Sequence, residues 1–222
     1  MKSSIKGCRE NIRDKMAEFF VEKNFVKSFD EEMQAVSSAA HNGGHTTAKG
    51  FFFLYVDKDY SGDHREDCIR FEENNNLERH VGFMTAVDIP EVLSYSKKSC
   101  AEVYLTAGVD NPCAAGESTF SEFHGSTPRT INIAILINEG LTLNGMVNAI
   151  MVATEVKTRV MLEQYNATGT TSDGIGVFSY EGDLDWTGTA TEIGYHIGKT
   201  VDEALRESLQ KWEDNSAGSD TF

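Results

Sequence analysis

The chain has 222 residues, 40% of them hydrophobic, and a formal net charge of −15. Its length and apolar content support one sizeable core, and no Pro/Ser-rich linker divides it, so residues 1–222 read as one domain with a variable N-terminal segment over 1–30. The acidity opposes the polyanionic backbone of nucleic acids and anionic membrane surfaces, which excludes both as expected partners.

In chain order, the N-terminal stretch leaves two readings open: a helix over Asn11 to Phe20, or a strand pair over Phe19 to Val26. Ala35 to Ala40 reads as a short strand entering a glycine loop, and the aromatic run Phe51 to Val56 reads as a second strand. A helix is expected from His64 to Leu77, followed by the apolar segment Val81 to Ile89 and a strand over Ala101 to Leu105. Ile131 to Ile137 is almost wholly apolar, as expected of a central strand covered on both faces, and Asn132 points away from Ile131, Ile133, Ile135 and Ile137.

Thr142 caps an expected helix running to Gln164, with Leu143, Met146, Val147, Ile150, Met151, Thr154 and Met161 along one side. Lys157 falls on that apolar side and must either snorkel out or meet a buried acceptor, whereas Glu155 points elsewhere. Gly174 to Tyr180 reads as a strand, and Thr189 to Glu192 has capping-box spacing for a last helix on which Gly194, Gly198, Val201, Leu205 and Trp212 share a side. The tail over 213–222 reads as frayed. Strands interleaved with helices predict an α/β fold, a single layered domain on a mixed β-sheet with flanking helices.

Four small, polar, glycine-rich segments punctuate these elements: Ser37 to Gly44, Thr106 to Asn111, Ala167 to Asp173 and Gly188 to Gly194. Glycine permits sharp turns and close ligand approach, and the adjacent Asn, Thr and Asp supply hydrogen-bonding groups, so these loops are expected to line a polar cleft for a small molecule. In Thr168-Gly169-Thr170-Thr171-Ser172-Asp173 the hydroxyls and amides suit an oxyanion, yet the same run suits an ordinary capped turn. Asn132 is equally open between a site residue and a buried amide that satisfies neighbouring backbone.

Other constellations read more plainly. Cys8, Cys68, Cys100 and Cys113 show no Cys-x-x-Cys pair and no disulfide framework, and nothing in the sequence brings His124 or His196 to Cys113 as a base. His41, His45, Asp57, Asp59 and His64 offer metal-ligand types, but Gly43-Gly44 interrupts any helix that would present His41 and His45 together. Asp59, Asp63, Glu66, Asp67, Glu72 and Glu73 read as a solvated acidic face. No leader segment or membrane-length apolar run is evident, so a cytoplasmic location is expected.

Taken together, the segments resemble the adenosylcobinamide amidohydrolases, the CbiZ family. Ser37-Ser38-Ala39 with Asn42-Gly43-Gly44, Gly82-Phe83-Met84-Thr85-Ala86, and Thr106-Ala107-Gly108 through Asn111 with Ala115-Gly116-Glu117 are similar to motifs of that family. So are Thr130-Ile131-Asn132-Ile133, Ala153-Thr154-Glu155-Val156-Lys157-Thr158, Ala167 to Thr170 ending at Asp173, and Gly188 through Gly198, all in the same order. This chain departs from the pattern at Thr171, where the family tends to carry glycine, at Cys113, which has no counterpart, and at Ala190, where many members carry histidine.

The resemblance implies hydrolysis of the amide joining aminopropanol to the corrin ring, releasing adenosylcobyric acid in corrinoid salvage. On that footing Asp173 or Glu155 is expected to activate water, Thr170, Asn132 and glycine-loop amides to stabilise the oxyanion, and Lys157 to orient a carboxylate or donate to the carbonyl. Asn42, Gly43, Gly44, Gly108, Asn111, Glu117, Thr168 and Gly169 are the candidates for holding the amide-rimmed corrinoid. No cofactor or bound metal is expected, cobalt arriving only within the substrate, and the expected partners are this small molecule and, where the chain self-associates, its own copies. Two rival readings are a non-catalytic corrinoid carrier and a metal-dependent amide hydrolase built on His41, His45 and His64.

Overall fold

The computed structural model describes residues 17–117 and 130–219. The strand-pair reading of the N-terminal segment is the one realised: β1 (Glu18–Val21) turns back into β2 (Asn24–Ser37), while Asn11 to Met16 lies outside the described residues. After β2 come β3 (Gly44–Tyr55), α1 (His64–Asn74), β4 (His80–Thr85), the single turn α2 (Ile89–Val92), β5 (Ser94–Lys98) and β6 (Ala101–Thr106). The chain ends with β7 (Pro112–Cys113), β8 (Asn132–Leu141), α3 (Leu143–Tyr165), β9 (Gly169–Thr170), β10 (Gly174–Glu181) and α4 (Glu192–Ser219). The last helix continues to Ser219, through 213–219 of the segment expected to fray, and 220–222 lie outside the described residues.

The main sheet has the order β4-β3-β2-β10-β8-β6-β5, with β1 beside β2; β3/β4 and β8/β10 are parallel and the other pairs antiparallel. The fold is therefore α/β on a mixed sheet, with β8 flanked on both sides as its composition predicts. Alternation along the strands sorts side chains to two faces. Ile131, Ile133, Ile135 and Ile137 meet Val103, Leu105 and Val177 under α3 and α4, whereas the rings of Phe25, Phe51, Phe53, Tyr104 and Phe178 fill the opposite face together with Leu136. On the helix-bearing side Cys68 and Phe71 of α1 cover Phe52 and Leu54 of β3.

Among the described residues the sheet itself curls over its aromatic face. β4 and β5 stand at opposite ends of the strand order, yet only residues 86–93 join them. The nine Cα steps from Thr85 to Ser94 would reach ~32 Å if fully extended, but the helical turn α2 cuts this to roughly 25 Å, whereas a flat sheet would separate these edges by about 29 Å. The edges must bend toward one another. Phe83 of β4 accordingly lies over Gly174 and Gly176 of β10, and the Met84 carbonyl accepts a hydrogen bond from Asn132 Nδ2 at 2.9 Å.

The caps of the helices follow local chemistry. Asp63 accepts from Arg65 N and Glu66 N at the start of α1, and Thr142 Oγ1 accepts from Gly145 N at the start of α3. At α4 the cap is Thr191, whose Oγ1 accepts from Gly194 N at 3.0 Å, rather than the expected Thr189. Gly194 lies against the carbonyls of Thr187 and Gly188, while Gly198 meets Val152 and Val156 of α3 at ordinary contact distance.

Helix α3 corrects the sequence reading of its faces. Met146 and Met161 are buried with Ala149, Val152, Val156 and Val160, but Leu143, Val147 and Met151 project to the outside. Lys157 is buried rather than snorkelling out, one of the two courses its position left open.

Candidate active site

The sheet register brings three of the four glycine loops to one end of the molecule. Ser37 at the end of β2 pairs with Gly176, Asn132 at the start of β8 pairs with both Gly174 and Thr106, and Ser38 Oγ accepts from Ile175 N at 3.1 Å. Between these points, β7 and β9 pair as a short second sheet that joins the loop after Thr106 to the loop before Asp173. Thr168 reinforces the junction: its N–H donates to the Cys113 carbonyl at 3.0 Å and its hydroxyl accepts from Ala115 N at 2.8 Å. Asn111 Nδ2 donates to Thr171 Oγ1 at 2.7 Å.

The fourth loop does not join them. Thr187 Oγ1 donates to the Gly145 carbonyl and Gly188 faces Asn148, which places Gly188 to Gly194 beside the first turns of α3, at the other end of the sheet. His196 goes with it, on the first turns of α4, while Cys113 lies in the β7/β9 junction. His124 lies outside the described residues. A thiol–imidazole pair between Cys113 and His196 is thereby excluded.

Asp173 is the hub of the three-loop junction. Its Oδ1 accepts from Ile131 N at 3.2 Å and from Thr170 Oγ1 at 2.5 Å, and its Oδ2 accepts from Thr170 N at 3.1 Å and from the Lys157 ammonium. These four donors match the acceptor sites of a carboxylate, so the anion is held fully hydrogen-bonded in an almost dry setting. Both side chains of the ion pair are only 10% exposed. Lys157 thus takes the second course open to a lysine on an apolar helix face: it meets a buried acceptor.

Gly169 is required by this arrangement. A Cβ on it would stand 2.2 Å from Asp173 Oδ2 and 2.5 Å from Lys157 Nζ, so the loop can lie across the ion pair only without a side chain. Asn132 borders the hub: its Oδ1 faces Gly174, and Thr106 stands directly opposite it across the β6/β8 pair, on the same face of the sheet. Gly108 donates its N–H to the Thr130 carbonyl at 3.3 Å and packs against Val87 and Trp212.

The remaining candidates fall at differing distances from this centre. Asn42, in the left-handed backbone region with φ 51°, donates through Nδ2 to the His80 carbonyl, and the 41–44 turn is tied to β4 by the His41/Gly82 bridge. It reaches the hub's neighbourhood through Phe83, the residue after Gly82. Glu117 is exposed and closes a turn on the Ala114 carbonyl. Glu155 is exposed on the outward face of α3 and lines an open groove with Thr158, Arg159 and Leu162; the structure does not bring it to Lys157 or Asp173.

The acidic face is less uniform than the sequence suggests. Glu72 is largely buried, accepting from His80 N and pairing with His41 Nε2 at 3.0 Å, and Asp67 accepts from the Tyr60 hydroxyl. Among the described residues no three His, Cys, Asp or Glu side chains form a metal-binding group; His45 stays exposed on β3 and His64 opens α1. Burial pushes the Cys68 thiol up to about 12, with Asp67 and Glu72 adding to it, so that thiol stays protonated and inert.

Two residues at this end were not among the site candidates, although Thr106 opens one of the four polar segments and Thr130 one of the family-like motifs. Thr106 and Thr130 are buried, and their hydroxyl oxygens have no hydrogen-bond partner among the described residues. Native interiors seldom leave such groups unpaired. Strand alternation through Tyr104 and Thr106 was the available signal, because it sets Thr106 on Asn132's face rather than in the aliphatic core.

The chain matches the adenosylcobinamide amidohydrolase family over residues 9–217. It is 28% identical over 194 residues to a protein of Methanosarcina mazei named adenosylcobinamide amidohydrolase, an alignment that spans 81% of this chain and 91% of that protein. An uncharacterized protein of Methanocaldococcus jannaschii is 36% identical over 92 residues, 37% of this chain and 36% of its own length. No described helix is long and apolar enough to cross a membrane.

Proposed function

This chain belongs to the adenosylcobinamide amidohydrolase family, and from that membership we propose that it hydrolyses the aminopropanol amide of adenosylcobinamide to release adenosylcobyric acid for corrinoid salvage. The observation that carries the reading onto particular residues is the buried Lys157–Asp173 pair, set where three polar loops meet and overlaid by Gly169.

Amide hydrolysis requires an activated water, stabilisation of the tetrahedral oxyanion and a proton for the departing amine. In the proposed mechanism the Lys157 ammonium, oriented by Asp173, donates a hydrogen bond to the scissile carbonyl oxygen and strengthens it as negative charge develops there. Asn132 adds a neutral donor through the second hydrogen of its Nδ2, the first going to the Met84 carbonyl, whereas the Thr168 and Thr170 amides are engaged by the Cys113 carbonyl and by Asp173. Every acceptor site of Asp173 is occupied at rest, so the attacking water takes the Oδ1 position when the Thr170 hydroxyl rotates away. Asp173 accepts one proton from that water as its oxygen bonds to the carbonyl carbon. The proton then passes to the nitrogen, the C–N bond breaks, and amino-propanol leaves as the amine. Asn42 to Gly44, Gly108, Asn111 and Glu117 are proposed to meet the peripheral amides of the corrinoid, whose neutral donors and acceptors suit Asn, Thr and backbone groups rather than arginine clusters.

The test is incubation of the purified protein with adenosylcobinamide and identification of the products by mass. Release of adenosylcobyric acid and aminopropanol is expected; tight binding without release would instead establish the carrier reading. Asp173→Asn and Lys157→Met, checked for fold by circular dichroism, are expected to lower turnover at least ~100-fold, the scale of losing a general base or an oxyanion donor. Full turnover in both folded variants would refute the assignment of this pair.

A further inference from the structure

Helix α3 is apolar on two sides. Its inner side is buried in the aliphatic core, and a second stripe of Leu143, Val147, Met151 and Leu162 faces outward, 44, 43, 55 and 50% exposed. Trp186, 69% exposed, extends the surface from a loop bound to the first turn of α3 through Thr142 and Asn144. Soluble chains rarely leave so much contiguous apolar surface in water.

We propose that this stripe is the interface through which two copies of the chain associate, their α3 helices crossing antiparallel about a two-fold axis near residues 152 and 153. Three observations favour a second copy. The first is spacing: Leu143, Val147, Met151, Thr154, Thr158 and Leu162 follow steps that read the same in either direction, as an isologous contact requires. An antiparallel copy sets Leu143 against Leu162, Val147 against Thr158 and Met151 against Thr154.

The second is polarity. Thr154 Oγ1 already donates to the Ile150 carbonyl at 2.8 Å, which leaves its methyl group outward, and Arg159 is engaged by Asp202 and Glu163 of its own chain. The third is area. Taking ~160–250 Å² for a whole side chain, Leu143, Val147, Met151, Leu162 and Trp186 expose on the order of 500 Å² of apolar surface. That is about the apolar share of the ~800 Å² each partner buries in a stable dimer. The open groove beside Thr158 and Leu162 provides the recess that Leu143 and Val147 of the second copy enter.

Sedimentation equilibrium on the full chain at micromolar concentration tests this. The expected result is twice the chain mass, with Met151→Glu weakening association at least ~100-fold because two carboxylates would be buried without partners. Val147→Lys and Thr158→Glu should each weaken the dimer, and the double variant should restore it, since the two new charges meet only between copies. A monomeric wild-type chain at tens of micromolar, a dimer indifferent to Met151→Glu, or a double variant no tighter than its parents would overturn the proposal. Far-UV circular dichroism establishes that each variant is folded, which its exposed position favours.

Discussion

Gly169 and Asp173 show how few atoms hold the proposed site together. The ion pair is buried on both sides and one glycine lies across it, so Gly169→Val should displace Lys157 from Asp173 rather than strain the loop. Separating a buried pair costs about 3–5 kcal/mol, and the expected result is a lowered urea midpoint together with loss of turnover; an unchanged midpoint would mean that the loop accommodates the side chain. His80 offers a second test at this scale. Burial lowers its pKa, outweighing the opposing pull of the Glu78 carbonyl and of Glu72. The ring is therefore neutral when folded but free to protonate when unfolded, so stability is full above about pH 6.5 and declines as the pH falls below it. The decline attributable to one such group cannot exceed about 1.4 kcal/mol per pH unit. Denaturant titrations at pH 7.5 and 5.5 should show a smaller difference for His80→Gln than for the wild type.

Among the elements, the legible ones were those whose pattern has a single physical cause. The strand at Ile131 to Ile137 is apolar on both faces because it is covered on both, and the capped start of α3 at Thr142 is set by a local hydrogen bond. The outward stripe of α3 was misread because periodicity reports that a side is apolar, not what it packs against. Two apolar sides on one helix cannot be ranked without the sheet beneath. Lys157 was legible as a lysine on an apolar helix side, with snorkelling and burial both open, and its partner was not legible, since Asp173 reaches it through a turn and no helical spacing encodes that contact. The cap of α4 shifted from Thr189 to Thr191 because both residues have hydroxyls in the right local setting, and the close approach of Gly194 to the Thr187 and Gly188 carbonyls decides between them. Thr191→Ala should cost about 1 kcal/mol and lower the thermal midpoint by a few degrees, while Thr189→Ala should leave it unchanged; scanning calorimetry on the two variants distinguishes the caps.

At the scale of the whole molecule, curvature is what composition could not reveal. The short passage from β4 to β5 brings distant edges together, so that aromatic side chains fill a concave face and Asn132 meets the Met84 carbonyl. The glycine loops share an end because strand direction places them there: β2 and β6 finish where β8 and β10 begin. The exception, Gly188 to Gly194, follows β10 and so emerges at the far end. A composition shared by four loops was therefore a sound guide to polarity and a poor guide to position.

The same strand order governs how the chain is born. β2 is made early, yet β10, which pairs with it through Gly176 and Ser37, follows about 140 residues later, so a polypeptide leaving the ribosome carries an open strand edge through most of its synthesis. Long-range closure of this kind slows folding and invites pairing with strangers. A chain truncated before Asp173 would lose at one stroke the seam of its sheet and the carboxylate proposed to activate water, leaving a sticky remnant rather than a weakened enzyme.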